Sequence, residues 1–220
     1  MRQVDYRLNA IVDASLSDVG HLPELAAIAA KSGATIVQYR DKSASTRLMI
    51  ERASAIRQAI AGTGVPLVIN DRVDIALASG VDGVHLGAED MDAETARRLL
   101  GPDAIIGVTV KKPADAAYAG SAPVNYACIG GVFETLSKVN PDPPVGLEGL
   151  RALRDQIRQS KPSLPVGAIA GISMERIGSV IAQGANGVAA ISALFRAPNI
   201  AEATASFRKA VDASLKDNAR

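Results

Sequence analysis

Two short apolar segments in the middle of the chain are each followed by carboxylates. Residues 66–69 and 83–86 are predicted to form buried strands, joined by a small helix that Gly80 ends. Asp71 follows the first strand and Asp90 follows the second. A right-handed crossover would put both at one edge of a parallel sheet, where two carboxylates can hold a hard cation such as Mg²⁺. An Asn-Asp pair after a strand is also a common turn and helix cap, so both interpretations stay open.

Cationic side chains follow an earlier predicted strand. In the segment V-Q-Y-R-D-K, the two-residue period of a strand puts Gln38, Arg40 and Lys42 on one side, opposite Val37 and Tyr39. Two cations and an amide at the mouth of a site suit a polyphosphate. The alternative is an ordinary solvated strand end, where alternating polar residues are common.

The later strands also end in polar residues. The hydroxyl and ammonium groups that follow the fifth and sixth predicted strands belong to Thr109, Thr135, Ser137 and Lys138. The seventh and eighth strands each run into a helix, an arrangement that commonly binds a phosphate through backbone N–H groups. We expect Gly171 and Ser192 to make those contacts, so the sequence predicts two anion sites at one end of the strands.

These residues are positioned by a repeated unit of buried strand, polar loop, amphipathic helix and glycine. The predicted strands are 8–12, 34–40, 66–69, 83–86, 104–110, 126–133, 166–170 and 187–191. The predicted helices include 22–31, 43–61, 92–100, 113–119, 147–159, 174–183 and 200–215. Eight such units in 220 residues predict an α/β fold, a single (β/α)8 TIM barrel spanning residues 1–220. A doubly wound open sheet is the alternative.

Composition narrows the classes of partner. The chain is 48% hydrophobic with a net charge of +1, and it has no long basic run, which speaks against nucleic acid as a partner. No apolar run approaches the length of a membrane span. The single cysteine, Cys128, excludes an internal disulfide framework, and the N-terminus lacks a signal-peptide pattern. We therefore expect a cytoplasmic protein that acts on small molecules.

The motifs together resemble the thiamine-phosphate synthase family. The matching segments are V-Q-Y-R-D-K, V-I-N-D-R-V-D-I-A, D-G-V-H-L-G-A-E-D, I-G-G-V-F-E-T-L-S-K, A-I-A-G-I and G-V-A-A-I-S-A-L-F. The resemblance implies a transferase that joins 4-amino-2-methyl-5-pyrimidinylmethyl diphosphate to a thiazole phosphate, with Mg²⁺ as cofactor and diphosphate as a product. A barrel of this kind often associates, so a homo-oligomer is a further expectation.

The resemblance also implies a role for each matching residue. The contacts to the pyrimidine diphosphate would be Gln38, Arg40, Lys42, Asn70, Thr109 and Lys138, with Arg40 and Lys138 acting on the leaving group. The metal ligands would be Asp71 and Asp90. The contacts to the thiazole phosphate would be Thr135, Ser137, Gly171, Ile191 and Ser192. The chain departs from the family's usual pattern at Tyr39, Gly131, Ala170, Val110 and Lys111.

Two other functions fit parts of the pattern. The thiazole tautomerases resemble the chain at its phosphate-binding end but typically lack the metal-binding pair, so Asp71, Asp90 and Lys138 favour the synthase. A phosphate-binding sensor with no activity is the second alternative, because fold does not fix function. No protein nucleophile is required, so Cys128 is expected in the core. His85 is expected to be a packed, hydrogen-bonded residue.

Overall fold

Eight parallel strands close into a barrel in the computed structural model, which describes residues 2–135 and 143–218. The strands are β1 (Leu8–Asp13), β2 (Ile36–Arg40), β3 (Leu67–Asn70), β4 (Gly83–Leu86), β5 (Ile105–Val110), β6 (Tyr126–Ile129), β7 (Val166–Ala168) and β8 (Gly187–Ala190). Each strand pairs with the next in sequence, and β8 pairs with β1. The predicted (β/α)8 barrel is confirmed.

The helices surround the barrel. They are α1 (Leu22–Lys31), α2 (Thr46–Ala59), α3 (Val73–Ser79), α4 (Ala93–Leu100), α5 (Pro113–Ser121), α6 (Gly146–Ser160), α7 (Ile177–Ala182), α8 (Ser192–Phe195) and α9 (Ile200–Asn218). A single 3₁₀ turn, Met174–Arg176, precedes α7. None of the helices within the described ranges combines the length and the apolar character needed to cross a membrane.

Several predicted boundaries were wrong where the backbone turns. The sixth strand was expected to reach Phe133 and the seventh to reach Ala170, but they end at Ile129 and Ala168. The predicted strand over residues 34–40 begins at Ile36. Gly131 and Ala170 adopt positive φ angles of 68° and 88°, outside the region of regular strand backbone.

Helix boundaries also differ from the prediction. The helix expected over 43–61 begins at Thr46, because Ser45 adopts an extended conformation and its side chain accepts a hydrogen bond from the Leu48 N–H. The helix expected over 174–183 begins as the 3₁₀ turn, and the last helix continues to Asn218. The cap at Gly80 is confirmed, with φ 62° and ψ 34° in the left-handed region.

Alternate residues of each strand face two separate cores. In β1 and β2, Leu8, Val12, Val37 and Tyr39 pack outward against the helices. A smaller cluster fills the barrel interior, with members Tyr6, Ile11, Ile36, Val68, Ile105, Tyr126, Cys128 and Ala189. The predicted assignment of Gln38 and Arg40 to the side opposite Val37 and Tyr39 follows from this alternation and is confirmed. The last helix buries Phe207 and Val211 against the outer core, so these apolar residues are used within the chain.

Glycines on the strands make room for the aromatic rings inside the barrel. A Cβ atom on Gly107 would lie 2.0 Å from Cζ of Tyr126, and one on Gly167 would lie 1.7 Å from Cε1 of Tyr6. The two tyrosine rings contact each other, with centroids 4.8 Å apart. The barrel is therefore a packed core at this level, and any open space must lie nearer the ends of the strands.

We expect Gly107→Ala to destabilise the protein by about 3 kcal/mol or more, because Tyr126 would have to leave its position in a filled core. Denaturant unfolding followed by circular dichroism measures the change. The matched control is Gly178→Ala in α7, where the added Cβ would be 3.9 Å from the nearest side chain. That change should be neutral or stabilise by about 0.5 kcal/mol, because Ala is the better helix former. Equal stability of the two variants would contradict the filled-barrel interpretation.

Candidate active site

A cavity opens at the carboxyl ends of the strands, above the filled level of the barrel. Its inner part is lined by polar and apolar residues from all eight strands or the turns that follow them, including Asn9, Gln38, Arg40, Asn70, His85, Thr109, Thr135, Ile169 and Ile191. It opens into an outer cleft, whose lining includes Lys42, Asp71, Asp90, Lys111, Pro143 and Val145. Arg40, Asn70 and Thr109 border both spaces. Residues predicted from six different segments thus share one site.

The two predicted metal ligands lie side by side in the outer cleft. Burial raises the pKa of Asp90, and a hydrogen bond and the negative charge of the neighbouring Asp71 raise this pKa further. The Asp90 carboxylate also accepts a hydrogen bond of 2.7 Å from the Gly87 N–H. Asp71 has a positive φ of 65°, and its N–H donates to the His85 carbonyl at 2.8 Å. The backbone thus holds both carboxylates toward one point.

Two carboxylates are fewer ligands than a metal site built only from protein side chains needs. Within residues 2–135 and 143–218, no group of three or more His, Cys, Asp or Glu side chains is arranged to hold a metal ion. Mg²⁺ commonly binds proteins through one or two carboxylates and takes its other oxygen ligands from water and substrate phosphates. The oxygen donors of Asp71 and Asp90 fit that pattern.

Both predicted phosphate-binding cations of β2 are paired with carboxylates. The Lys42 ammonium contacts the Asp71 carboxylate, and 57% of the Lys42 side chain is exposed. Arg40 is much less exposed and contacts Asp13, whose side chain is 1% exposed. Asp13 in turn accepts hydrogen bonds from the Ser15 N–H at 2.9 Å and the Ser15 hydroxyl at 2.6 Å. Arg40 is therefore held by a fixed buried anion, whereas Lys42 can turn in solvent.

A hydrogen-bonded row of side chains forms another wall of the inner cavity. His85 Nε2 is 2.9 Å from the Thr109 hydroxyl, and His85 Nδ1 is 3.0 Å from the Tyr126 hydroxyl. The His85 ring also stacks on the Tyr126 ring, with centroids 5.5 Å apart. The expectation of a packed, hydrogen-bonded His85 is confirmed. Through Tyr126, the filled core of the barrel orients the predicted substrate contact Thr109.

The predicted thiazole-phosphate residues lie across the cavity on β6 to β8. Thr135 and Ile191 line the inner cavity, and Ser192 begins α8 directly after it. Gly171 has a φ of 63°, and a Cβ there would lie 2.4 Å from the Glu134 carbonyl oxygen, so the turn requires glycine. Ala170 beside it has a positive φ of 88° and also lines the cavity. Ser137 and Lys138 lie outside the described residues.

Cys128 borders the inner cavity but is not available as a nucleophile. It is 2% exposed and belongs to the cluster inside the barrel. Burial raises the pKa of its thiol to about 12, so the reactive thiolate is absent at neutral pH. The expectation that Cys128 is a core residue is confirmed.

Some residues of the site were not predicted from the sequence. Asp13 and Asn9 belong to β1, which reads L-N-A-I-V-D, and no residue of this strand was predicted to be part of the site. Their alternation with Leu8, Ala10 and Val12 was the available signal, because polar residues with period two in a buried strand point into the barrel. Lys111 was predicted only as a departure from the family pattern, and it lines both the inner cavity and the outer cleft.

Comparisons with known proteins agree with this geometry. A family model described as thiamine monophosphate synthase matches residues 8–194. The thiamine-phosphate synthase of Agrobacterium fabrum is 69% identical over 98% of this chain and 98% of its own length. The protein of the same name from Chloroflexus aurantiacus is 40% identical over 94% of each chain.

Solved structures give a matching result. The thiamine phosphate pyrophosphorylase from Pyrococcus furiosus superimposes with a TM-score of 0.82 at 36% identity, over 96% of this chain and 98% of that one. A 3-hexulose-6-phosphate synthase shares the barrel, with a TM-score of 0.64 at 20% identity over 93% of this chain and 99% of that one. That second likeness concerns the fold alone. The family match covers most of the barrel, and on this ground the chain belongs to the thiamine monophosphate synthase family.

Proposed function

We propose that the protein is a thiamine-phosphate synthase, a transferase that moves the aminopyrimidinylmethyl group of a diphosphate ester onto a thiazole phosphate. Family membership supports the reaction class. The observation that carries the proposal is that the Asp71 and Asp90 carboxylates lie in one cleft with Lys42 and Arg40, next to the inner cavity. That arrangement suits a metal-bound diphosphate better than the single phosphate of a tautomerase substrate.

Asp71 and Asp90 would hold the Mg²⁺ ion. Their hard oxygen donors fit this cation, and the small number of protein ligands leaves positions for water and diphosphate oxygens. When bound, the ion neutralises charge on the diphosphate and so makes it a better leaving group. Lys42 contacts Asp71 now, and its exposed side chain can move to the diphosphate when a cation takes its place.

The remaining residues of this end would position the pyrimidine diphosphate. Arg40 presents a planar fork of N–H donors that suits phosphate oxygens, and Asp13 fixes its direction. The side chains that would contact the ester inside the cavity are Gln38, Asn70 and Thr109. Lys138, outside the described residues, is proposed to meet the diphosphate as its charge grows.

The thiazole phosphate would bind on the opposite wall. The proposed contacts come from the resemblance to the family and are Thr135, Ser137, Gly171, Ile191 and Ser192. Two of them, Thr135 and Ile191, face the same inner cavity as the proposed pyrimidine contacts. The two heterocycles would therefore meet inside this cavity, away from bulk water.

The reaction needs no covalent intermediate with the protein. The C–O bond between the methylene carbon and the diphosphate breaks, and the leaving oxygen keeps the electron pair. The electron-rich aminopyrimidine stabilises the positive charge that develops on the methylene carbon, and the lone pair of the thiazole nitrogen forms the new C–N bond. Arg40 and Lys42 would act on the leaving group electrostatically. The buried, protonated Cys128 is consistent with this scheme.

The decisive experiment incubates the purified protein with both substrates and Mg²⁺ and detects thiamine phosphate by mass spectrometry. Formation should require both substrates and stop with a chelator. A protein that binds phosphates but forms no product with both substrates and metal present would instead be a sensor.

Two further proposals rest on the sequence and composition. A cytoplasmic location is supported by the single cysteine, which needs no oxidising compartment. Association between copies is proposed by analogy with similar barrels, and light scattering on the purified protein measures it.

The first prediction for the proposed reaction concerns the carboxylate pair. Asp71→Asn and Asp90→Asn should keep the fold and lower turnover about 100-fold or more, because a metal contribution of several kcal/mol is lost. Each variant should also lose the Mg²⁺-dependent rise in melting temperature. Asp74→Asn is the control, since Asp74 pairs with Arg72 outside the cleft at 2.5 Å. Normal activity of the folded double variant in chelator would refute the assignment.

The same pair sets a pH dependence. The pKa of Asp90 is raised in the folded protein, so the metal-free folded state is more stable when Asp90 is protonated than when it is charged. This contribution to the free energy of unfolding is lost as the pH rises through the raised pKa. Asp90→Asn should therefore raise the melting temperature of the metal-free protein at pH 7 and change it little at pH 3. The response of the unmodified protein to Mg²⁺ should fade as pH falls through the raised pKa.

The second prediction concerns the pairing of Arg40 with Asp13. Asp13→Asn and Arg40→Lys should both weaken binding of the pyrimidine diphosphate by about 10-fold or more, since each loses a charge-assisted contact. Binding of the thiazole phosphate should hardly change, and calorimetry measures both ligands. Arg52→Lys is the control, because it alters the adjacent ion pair with Asp41, at 2.7 Å, outside the cavity. Equal loss for both ligands would indicate a folding defect.

The third prediction separates two roles for Lys138. A cation that acts mainly on the growing charge of the leaving group lowers kcat more than it raises KM. Lys138→Ala should therefore reduce kcat by about 10² to 10³, the usual size of such an electrostatic contribution. Steady-state kinetics on the folded variant test this, and an unchanged kcat would remove Lys138 from the reaction.

A further inference from the structure

Asn9 is a buried polar side chain in the cavity, and its amide has no hydrogen-bond partner among the residues that the structure describes. It is the second residue of β1, is 1% exposed and lines the inner cavity. Neither its amide oxygen nor its amide nitrogen makes a hydrogen bond. Burial raises the pKa of the Tyr6 hydroxyl, and the nearby Asn9 amide offsets only a small part of that rise, because the contact falls outside hydrogen-bond geometry. Buried amides are rarely unsatisfied in native proteins, so the Asn9 amide needs a partner from outside the described chain, and its place in the cavity lining points to a ligand.

The position of Asn9 identifies which part of a ligand it could reach. On the paired strands β1 and β2, Asn9 is level with Ile36, whereas Asp13 is level with Arg40 at the mouth. Asn9 therefore lies four residues deeper than the ion pair, roughly 13 Å along the strand. A diphosphate held by Arg40 and the carboxylate pair would stay at the mouth. The ring attached to it would extend toward Asn9.

The chemistry of the unpartnered atoms narrows the ligand further. A primary amide offers one acceptor and one donor side by side, so it is satisfied by an edge that offers a donor beside an acceptor. A 4-aminopyrimidine has such an edge, formed by its amino group and the adjacent ring nitrogen. Asparagine and glutamine use the same pairing to recognise adenine. A thiazole ring has only an acceptor nitrogen and no donor, so it could satisfy only one atom of the amide.

We propose that Asn9 is a specificity-determining residue whose amide pairs with the amino group and ring nitrogen of the aminopyrimidine. The inference rests on the proposed function, because it assumes that a pyrimidine diphosphate enters with its charged end at the mouth. His85 does not compete for this role, since both ring nitrogens already contact Tyr126 and Thr109. Asn9 is the deepest polar contact of the proposed substrate.

The test compares the pyrimidine diphosphate with its deamino analogue, in which hydrogen replaces the amino group. Calorimetry should show the unmodified protein binding the parent about 10- to 100-fold more tightly, the usual value of a two-point amide contact to a base. Asn9→Leu keeps the number and branching of the side-chain heavy atoms but has no polar atoms, so it should bind both compounds with similar affinity. Binding of inorganic diphosphate should be unchanged, because that ligand stays at the mouth.

Two more variants make the comparison robust. Ile11→Val changes an apolar neighbour in the same strand and should leave the ratio of the two affinities unchanged. Asn9→Ser keeps a polar atom but is too short to contact both the amino group and the ring nitrogen, so the ratio of the two affinities should fall in this variant as well. It takes the place of Asn9→Leu if that variant does not fold. An unmodified protein that does not distinguish the two compounds, or an Asn9→Leu protein that still does, would overturn the proposal. If the unmodified protein binds neither compound and forms no thiamine phosphate, the proposed function fails as well.

Discussion

The close approach of the Tyr126 ring to β5 constrains both the core and the site. Gly107 permits it, since any Cβ there would overlap the ring. The ring fills the barrel, and its hydroxyl contacts His85 Nδ1 at 3.0 Å. This contact directs the other nitrogen of His85 to Thr109 at the cavity wall, so packing inside the barrel sets the orientation of a side chain at the substrate site. A core of ordinary β-branched residues would fill the same volume without that connection.

A second constraint acts at the mouth, where like charges are held together. Asp71 has a positive φ, which is uncommon outside glycine, and burial raises the pKa of Asp90, with the Asp71 carboxylate raising it further. Both features cost stability in the metal-free protein. Neighbouring groups offset part of this cost, because Lys42 pairs with Asp71 and the Gly87 N–H donates to Asp90. Strain and repulsion at such a site are typical of binding sites that a cation completes.

Much of this arrangement could be predicted from the sequence, because it depends on local patterns. The four residues of β4 and the left-handed cap at Gly80 were predicted from an apolar run and a glycine. The strand period placed Gln38 and Arg40 correctly. The ends of β6 and β7 could not be predicted in this way, because positive φ at Gly131 and Ala170 ends the strands within an apolar sequence.

Contacts between distant segments could not be predicted from the sequence either. The pairing of Asp13 with Arg40 depends on the register of β1 against β2, and the unpaired amide of Asn9 depends on what all eight strands leave empty. Neither property belongs to a local pattern. The alternation in β1 could indicate that Asn9 and Asp13 face the barrel interior. Their roles in the site could not be predicted, because those roles depend on the closed barrel as a whole.

The charges of the outer cleft suggest why metal and diphosphate would bind together in the proposed reaction. Among its described lining residues, the cations Arg40, Lys42, Lys111 and Lys112 equal in number the anions Asp71, Glu89, Asp90 and Asp115. The buried Asp13 adds one more anion behind Arg40. On the described residues alone, the cleft has no excess positive charge to attract a free diphosphate. A divalent cation between Asp71 and Asp90 would reverse the balance and release Lys42 from its carboxylate, so metal binding and diphosphate binding should each strengthen the other.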